Sequence, residues 1–481
     1  KRHLGLLERL ERPCWSVRFE SSCPRLSQPR GRTELTCPSF GPFGPLLWCP
    51  ARTMSDLSPS RSLLKRRLQD IASLSFSAGL AQAAAVVALP LLQRYCYNPS
   101  AFADMAVYSQ LVGILGAVAT LRMDLALVKQ NSMEQARATF SLGLRSMLFM
   151  AFVAMLLAFG FSAAGLEMGA IPWLWCLLPL GVVGLGMNGL VTGWLSREER
   201  CQKLAVVRAG GSFVGEALRF VGASLGSLGL IAGRISGQWC SAIWGFRTLH
   251  RSWRSAPKST RTSRKKAWSE NRAYAVFTTP ANVLAMAANG LFILYLFEFG
   301  SGNIVGSVGA GMAYLTVAAG LVIRSVSDVF FKHLDDVPPG ALMRHYTRWM
   351  AILVLLSAAG ISVLWAIPDG WATLLLGDAW KDMLPVMRIM APWMVPWIAG
   401  SALSGIFPHL GRQSWTLALD AVHLAMVGGL IWASDAARTT TVLSDPEVLF
   451  LLLDYTLVQA SFYTMAIGVA LAAIAFRKPS D

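Results

Sequence analysis

The sequence predicts an all-α, polytopic membrane protein of about 12 transmembrane helices, arranged as two six-helix bundles around a central cavity. Of its 481 residues, 54% are hydrophobic, and these residues cluster in long blocks instead of spreading evenly along the chain. A block of ~20 such residues crosses a ~30 Å hydrocarbon layer as one helix. Most Lys and Arg lie between the blocks, so the net charge of +16 indicates membrane topology and not nucleic-acid binding.

Residues 1–53 differ in composition from everything that follows. They hold four of the eight Cys and nine Lys and Arg, and they contain no apolar core of the signal-peptide type. Met54 then begins a stretch that is typical of the start of a bacterial inner-membrane protein. We expect residues 1–53 to be upstream sequence outside the natural protein, or else a disordered extension rich in Pro and Arg.

Hydropathy predicts six spanning segments in residues 54–246 and six more in residues 273–481. Residues 247–272 between these bundles carry nine Lys and Arg against one Glu, which predicts a basic cytoplasmic linker. Six segments in each half let both halves enter from the same side, so we expect parallel repeats. The predicted segments are 71–93, 105–128, 142–165, 171–194, 204–224, 225–246, 274–297, 304–331, 346–367, 384–407, 415–433 and 449–476.

Loop charge predicts the orientation of these segments. One set of alternating loops carries most of the Lys and Arg, whereas the other set carries only Arg94, Lys381 and Arg438. Because positively charged loops stay on the cytoplasmic side, both termini are predicted to be cytoplasmic. The chain is therefore predicted to be a multi-pass protein of the bacterial cytoplasmic membrane.

Several arginines lie inside the predicted segments, where a guanidinium costs at least ~2.5–3.5 kcal/mol at the bilayer centre. Such a group usually faces a wet, protein-lined interior, so the set predicts a cavity for an anionic group. We interpret Arg145 and Arg388, close to segment ends, as interface anchors. Arg122 and Arg324, near cytoplasmic ends, fit either a cavity or snorkelling to the interface. The full set is Arg122, Arg145, Arg208, Arg219, Arg234, Arg324 and Arg388.

The fifth predicted segment carries a polar face. Its members recur at helical spacing: Arg208, Ser212, Gly215, Glu216 and Arg219. Glu216 and Arg219, three residues apart, are placed to pair, either beside a cavity or as a buried structural ion pair. Arg208 lies near the cytoplasmic mouth of this face.

The sixth predicted segment carries Arg234 near its middle, too deep to snorkel easily. Gly233 and Gly237 beside it permit close approach of another helix. We favour a cavity role for Arg234 over a structural one.

The sequence contains no recognisable catalytic or metal-binding motif. HExxH, GxSxG, Walker-type Gly-Lys-Ser/Thr and CxxC patterns are missing, and the six His are scattered. We interpret the acidic pair Asp335 and Asp336 as a solvated turn. We therefore expect a protein that is not an enzyme and that uses no cofactor.

Several stretches carry a family pattern: 97–104 followed by 107–126, 194–200, 376–380 followed by 388–393 and 411–413, and 271–334. Together they resemble the oligosaccharide flippase (polysaccharide biosynthesis) family, within the multidrug/oligosaccharidyl-lipid/polysaccharide exporter superfamily. The family's Arg-aromatic-Glu triplet reads Arg122-Met123-Asp124 here. The Arg that members often carry in the eighth segment is missing from residues 310–314.

The resemblance implies a flippase that carries polyprenyl-pyrophosphate-linked oligosaccharides across the membrane by alternating access, for O-antigen, capsule or exopolysaccharide synthesis. Pyrophosphate needs cationic partners, and guanidinium suits phosphate oxygens. Sugar hydroxyls need amide partners, for which Asn282 and Asn289 are candidates. The implied partners are this lipid-linked oligosaccharide, membrane lipid, a polysaccharide polymerase and a chain-length regulator.

Other interpretations stay open at this stage. A lipid II flippase and a cation-coupled multidrug antiporter are branches of the same superfamily, although an antiporter should show an excess of intramembrane carboxylates. A membrane polysaccharide polymerase or ligase needs a large outward loop, and the loops predicted outside are short. If transport is coupled to a proton or to Na⁺, Glu216 is our candidate for the coupling residue.

Overall fold

The computed structural model describes residues 86–165, 172–198, 200–334, 337–410, 412–438 and 442–476, and they contain helices and turns without any strand. Residues 1–53 and most of the first predicted segment lie outside these ranges, as does the acidic pair Asp335 and Asp336. All described residues belong to one unit, Arg67–Asp481.

The described residues of the first half, together with the segment that joins the two halves, contain eight helices. They are α1 (86–95), α2 (Pro99–Ala119), α3 (Met123–Val128), α4 (Met133–Ala163), α5 (Leu178–Arg197), α6 (Cys201–Val221), α7 (Ser227–Ser255) and α8 (Arg261–Ala273). The second half contains α9 (Thr279–Phe299), α10 (Gly302–Leu334), α11 (Leu342–Ala366), α12 (Gly370–Leu376), α13 (Met383–Met390), α14 (Met394–Ala402), α15 (Ile406–His409), α16 (Gln413–Ala437) and α17 (Asp445–Ala475).

Eight helical stretches in the described residues are long and apolar enough to cross a membrane. They confirm the prediction of an all-α, polytopic membrane fold. The helices α6 and α7, which hold the fifth and sixth predicted segments, are not among the eight, although they have 21 and 29 residues. Their Arg and Glu side chains lower the mean hydropathy, as expected of helices that line a polar interior.

The second predicted segment, 105–128, is wrong as one continuous helix. The helix α2 begins earlier, where the Asn98 side chain accepts a hydrogen bond from the Ala101 N–H, and it ends at Ala119. Leu121 and Arg122 then take left-handed backbone angles, with φ of 49° and 57°. Non-glycine residues are uncommon in this region of φ, so this turn after α2 has an energetic cost. The turn positions Arg122 for its hydrogen bond to Asn282.

The tenth predicted segment, 384–407, is also wrong as one helix, because it divides into α13, α14 and α15. A short 3₁₀ turn, Ala391–Trp393, separates the first two of these helices. Pro392 and Pro396 lack the N–H that a continuous helix needs, which explains the interruption.

Most of the predicted linker is helical. The helix α7 continues to Ser255, and α8 begins after Thr260, whose hydroxyl accepts a hydrogen bond from the Ser263 N–H at 3.1 Å. The cytoplasmic position of this segment stays a prediction.

The two halves meet where α2 packs against α9 and α10. Near the end of α1, the Tyr314 hydroxyl donates to Gln93 Oε1 at 2.7 Å, and the Trp380 indole N–H donates to the Gln93 carbonyl at 3.2 Å. Just after α2, Arg122 Nη2 donates to Asn282 Oδ1 at 3.2 Å. Side chains that precede and follow α2 therefore also join the two halves.

Candidate functional site

The helices α6 and α7 cross closely because glycines face each other along their seam. A Cβ placed on Gly237 would lie 2.7 Å from the Gly211 carbonyl oxygen and 2.9 Å from the Gly215 Cα. A Cβ on Gly233 would lie 2.6 Å from the Arg219 Cγ. These contacts confirm the close approach predicted for this part of α7, and they hold the Arg219 backbone against it.

Glu216 and Arg219 form the ion pair that their spacing predicts. Arg219 Nη1 lies 2.7 Å and 2.9 Å from the two carboxylate oxygens of Glu216, and the side chains are only 12% and 15% exposed. Arg219 Nε is buried without a hydrogen-bond partner among the described residues. The carboxylate thus occupies one guanidinium nitrogen, Nη1, while the Nε–H has no acceptor among the described residues.

Tyr97, between α1 and α2, fixes the backbone at this pair. Its hydroxyl donates to the Arg219 carbonyl at 2.5 Å. Burial raises the pKa of Tyr97 to about 12, so the hydroxyl remains a donor at neutral pH. The position of Arg219 is therefore set by contacts with α1–α2, α6 and α7.

Arg234 is the most informative side chain of the cluster. It is half-buried, and its guanidinium has no hydrogen-bond or ion-pair partner in the part of the chain that the structure describes. Arg219, Glu216 and Tyr108 are its electrostatic neighbours. Two guanidiniums and one carboxylate give the cluster a net positive charge within the helical bundle.

A separate cavity of about 480 Å³ lies between the two halves, where the α6–α7 and α9–α10 turns meet the start of α2. Asp104 lines it and accepts a hydrogen bond from the Ser227 hydroxyl. Phe297 and Gly302 contribute the wall from the second half.

The structure places the other predicted cavity residues apart from this cluster. Arg122 binds Asn282, so these two candidates act on each other across the halves. Asn289 donates to the Ala285 carbonyl in its own helix at 2.8 Å. Arg208 is exposed on α6, and the Arg324 side chain lies outside the described part of α10.

The two predicted interface anchors differ from each other. Arg145 is exposed on α4. Arg388 is bound instead: its Nη1 lies 2.5 Å from Asp369 and its Nη2 donates to the Ile367 carbonyl at 2.5 Å. These bonds fasten α13 to the residues that follow α11.

A second polar cluster, in α16 and α17, was missed by the sequence interpretation. His423 Nε2 lies 2.9 Å from Gln459 Oε1, and both residues are almost fully buried. The His423 ring stacks on Phe462 with centroids 4.0 Å apart. Asp420, one turn earlier, is half-buried and has no hydrogen-bond or ion-pair partner among the described residues. Two ionisable residues three apart in a predicted segment were the available signal.

Several donors around this second cluster are unused. The Gln459 Nε2, the Tyr455 hydroxyl and the Trp393 indole N–H are buried without a hydrogen-bond partner in the described ranges. Within these ranges no group of three or more His, Cys, Asp or Glu is placed to hold a metal ion. The second cluster therefore has hydrogen-bond donors to offer a ligand.

Comparisons with known proteins identify the fold. The chain matches no protein-family model and no curated protein. It is similar to an inward-facing structure of a multidrug resistance MATE family transporter of the MOP superfamily, with a TM-score of 0.62 and 12% identity over 83% of this chain and 94% of that one.

Two further solved structures agree. An outward-facing structure described in the same terms gives a TM-score of 0.51 at 13% identity, over 85% of this chain and 97% of that one. A MOP superfamily transporter from Pyrococcus furiosus, described as having a binding pocket of reverse polarity, gives 0.55 at 12% identity, over 85% and 96%. This chain is therefore a multi-pass membrane protein with the fold of MOP-superfamily transporters.

Proposed function

We propose that this protein is a secondary transporter that moves polyprenyl-pyrophosphate-linked oligosaccharides across the cytoplasmic membrane. The shared fold supports the transporter part of this proposal. The observation that carries the choice of substrate is the guanidinium of Arg234, half-buried and without a partner among the described residues. A positive charge held inside a bundle needs an anion, and a pyrophosphate group supplies one.

The chemistry of the cluster supports a phosphate ligand over a sugar ligand. Arg234 would donate to phosphate oxygens through its free guanidinium, whose planar fork matches them. Arg219, held by Glu216 and by Tyr97, would add its unused Nε. Asn282 is engaged by Arg122, so the sugar contacts expected of it would require that bond to open.

Alternating access supplies the mechanism. The halves pack along α2, α9 and α10, and rocking about this line would expose the α6–α7 seam first to one side and then to the other. Solved transporters of this fold are described in both inward-facing and outward-facing conformations. The oligosaccharide would travel between the halves, while its prenyl tail would stay in lipid.

Reconstituted proteoliposomes test the proposal. The substrate is a labelled polyprenyl-pyrophosphate-linked oligosaccharide, and the measurement is the rate at which it becomes accessible to a membrane-impermeant enzyme on the opposite side. We expect Arg234→Ala to lower this rate at least tenfold, which corresponds to about 1.4 kcal/mol. Arg234→Lys should retain part of the activity, because it keeps the charge and loses the bidentate geometry.

Arg145→Ala is the matched control, since this exposed arginine lies outside the cluster. It should flip substrate at the rate of the unmodified protein. Normal flipping by Arg234→Ala, with equal amounts of inserted protein, would refute the role of the cluster in substrate binding.

A cation-coupled multidrug antiporter is the second candidate, and Asp420 favours it. This carboxylate has no partner among the described residues and lies within a membrane-spanning helix, where it could bind a cation. The same vesicles therefore receive a lipophilic fluorescent cation and a pH gradient. Cation transport that is lost in Asp420→Asn, in vesicles that flip no lipid-linked sugar, would replace the first proposal by this one.

A further inference from the structure

A groove with basic walls follows the α6–α7 seam at the end that is remote from Ser227. It consists of two cavities of about 740 and 540 Å³ that share Trp244, Arg247 and Thr248. The larger cavity has four cationic side chains in its wall, and the smaller one extends between Cys240 and Ile243. The cations are Arg200, Lys203, Arg247 and Arg251.

Helical spacing explains why one end of the groove is basic and the other apolar. On α7 the lining residues recur every three or four positions from 240 to 251, so they form one stripe. Cys240, Ile243 and Trp244 come first along this stripe, and Arg247 and Arg251 follow. The groove is therefore amphipathic along its length.

Three of the four cations have no counter-ion in the part of the chain that the structure describes. Arg200 lies 2.9 Å from Glu198 and donates to the Thr248 carbonyl at 3.3 Å. Lys203, Arg247 and Arg251 are exposed, and within the described ranges they have no hydrogen-bond or ion-pair partner. Arg247 and Arg251 are four apart on one helix, where like charges destabilise each other. An anion in the groove would offset that repulsion.

If α7 crosses the membrane, its length puts this end of the groove at the membrane surface. The helix has 29 residues and is therefore about 43 Å long, more than a ~30 Å hydrocarbon layer requires. If Ser227 lies at one boundary, Arg247 lies about 30 Å further along, at the other boundary. Trp244 then falls in the interfacial layer that tryptophan prefers, and Arg251 lies at the level of lipid headgroups.

We infer that this groove binds an anionic membrane phospholipid. Its phosphate contacts Lys203, Arg247 and Arg251, and one acyl chain lies along Cys240, Ile243 and Trp244. Guanidinium groups bind phosphate oxygens in pairs, and basic pockets between membrane helices fit acidic headgroups. Arg234 lies 13 residues before Arg247, about 20 Å along the helix, so this lipid site is separate from the cluster proposed for transport.

Native mass spectrometry of the detergent-solubilised protein tests the inference. We expect phosphatidylglycerol to bind at least tenfold more tightly than phosphatidylcholine. Replacing the three cations together, by Lys203→Gln, Arg247→Gln and Arg251→Gln, should remove this preference. The matched control removes three exposed charges from α8, by Arg261→Gln, Lys265→Gln and Arg272→Gln, and it should bind as the unmodified protein does.

A second measurement uses the unmodified cations, so it does not depend on the folding of the triple variant. Phosphatidylglycerol with brominated acyl chains should quench tryptophan fluorescence, and Trp244→Phe should remove part of that quenching. Equal affinity for both lipids, an equal loss in the α8 control, or quenching unchanged by Trp244→Phe would overturn the inference. Displacement of the lipid by inorganic phosphate alone would assign the groove to a free anion and would also overturn it.

Discussion

The last two helices of each half carry opposite kinds of polar group. In the first half, α6 and α7 hold the Arg219–Glu216 pair and the guanidinium of Arg234, for which the described ranges offer no hydrogen-bond or ion-pair partner. In the second half, α16 and α17 hold the His423–Gln459 bond and the carboxylate of Asp420, which has no partner among the described residues. The two helix pairs occupy corresponding places in the chain order, but α6 and α7 carry cations whereas α16 and α17 carry a histidine, an amide and a carboxylate.

The packing of the two pairs differs in the same way. Glycines bring the α6 and α7 backbones close together, and the Arg219 side chain passes directly over Gly233 of α7. In the second half, the His423 ring and Phe462 fill the space between the helices. The first pair is therefore packed backbone against backbone through glycines, whereas the second pair is packed through aromatic rings.

The largest effect that we expect comes from breaking the ion pair. Glu216→Gln should lower the free energy of unfolding by about 3 kcal/mol, because it leaves Arg219 charged and mostly buried. Thermal unfolding in detergent, followed by the fluorescence of the 17 Trp, measures the change. Glu298→Gln makes the same replacement at an exposed position and should leave the transition within about 0.5 kcal/mol. Equal unfolding temperatures for the two variants would mean that the Glu216–Arg219 pair does not stabilise the protein.

A methyl group in the glycine seam should have the next largest effect. A Cβ on Gly233 meets Arg219 Cγ at 2.6 Å and Arg219 N at 2.8 Å, so Gly233→Ala should destabilise the protein by about 2 kcal/mol. Gly428→Ala on α16 is the matched control, because a Cβ there meets no atom within 4 Å and Ala favours a helix. The same unfolding measurement compares the two variants. An unchanged free energy of unfolding in Gly233→Ala would show that α6 and α7 can move apart to accept the methyl group.

The buried side-chain amide of Gln459 should contribute less to the free energy of unfolding. Gln459→Leu removes the hydrogen bond to His423, but it also removes the buried Gln459 Nε2, which has no hydrogen-bond partner among the residues described. We therefore expect a net loss of about 1 kcal/mol in the free energy of unfolding. Gln202→Leu, at an exposed position, should have no measurable effect on unfolding. A loss of 3 kcal/mol or more would mean that a further buried group depends on Gln459.

The sequence predicted those features that depend on spacing within one helix. The Glu216–Arg219 pair follows from residues three apart on one helix face, and the close packing beside Arg234 follows from its flanking glycines. The all-α membrane fold follows from the lengths of the apolar blocks. Each of these features is set by local periodicity, which a single sequence contains.

Features that depend on partners far away in the chain were not predictable. His423 and Gln459 are 36 residues apart, and no helical periodicity connects them. Arg122 binds Asn282 only because the chain turns through left-handed angles just after α2, where hydropathy alone indicated one continuous segment. Tertiary contacts determined both outcomes.

The smallest effect that we expect has the opposite sign. Asp420→Asn repeats the acid-to-amide change of Glu216→Gln, but Asp420 has no hydrogen-bond or ion-pair partner among the described residues. Removing a half-buried carboxylate that nothing compensates should therefore raise the free energy of unfolding by about 0.5 kcal/mol. A shift of the thermal transition to higher temperature checks this against the fall expected for Glu216→Gln. Destabilisation by Asp420→Asn would mean that the carboxylate has a favourable partner, and the contrast between the two helix pairs would then fail.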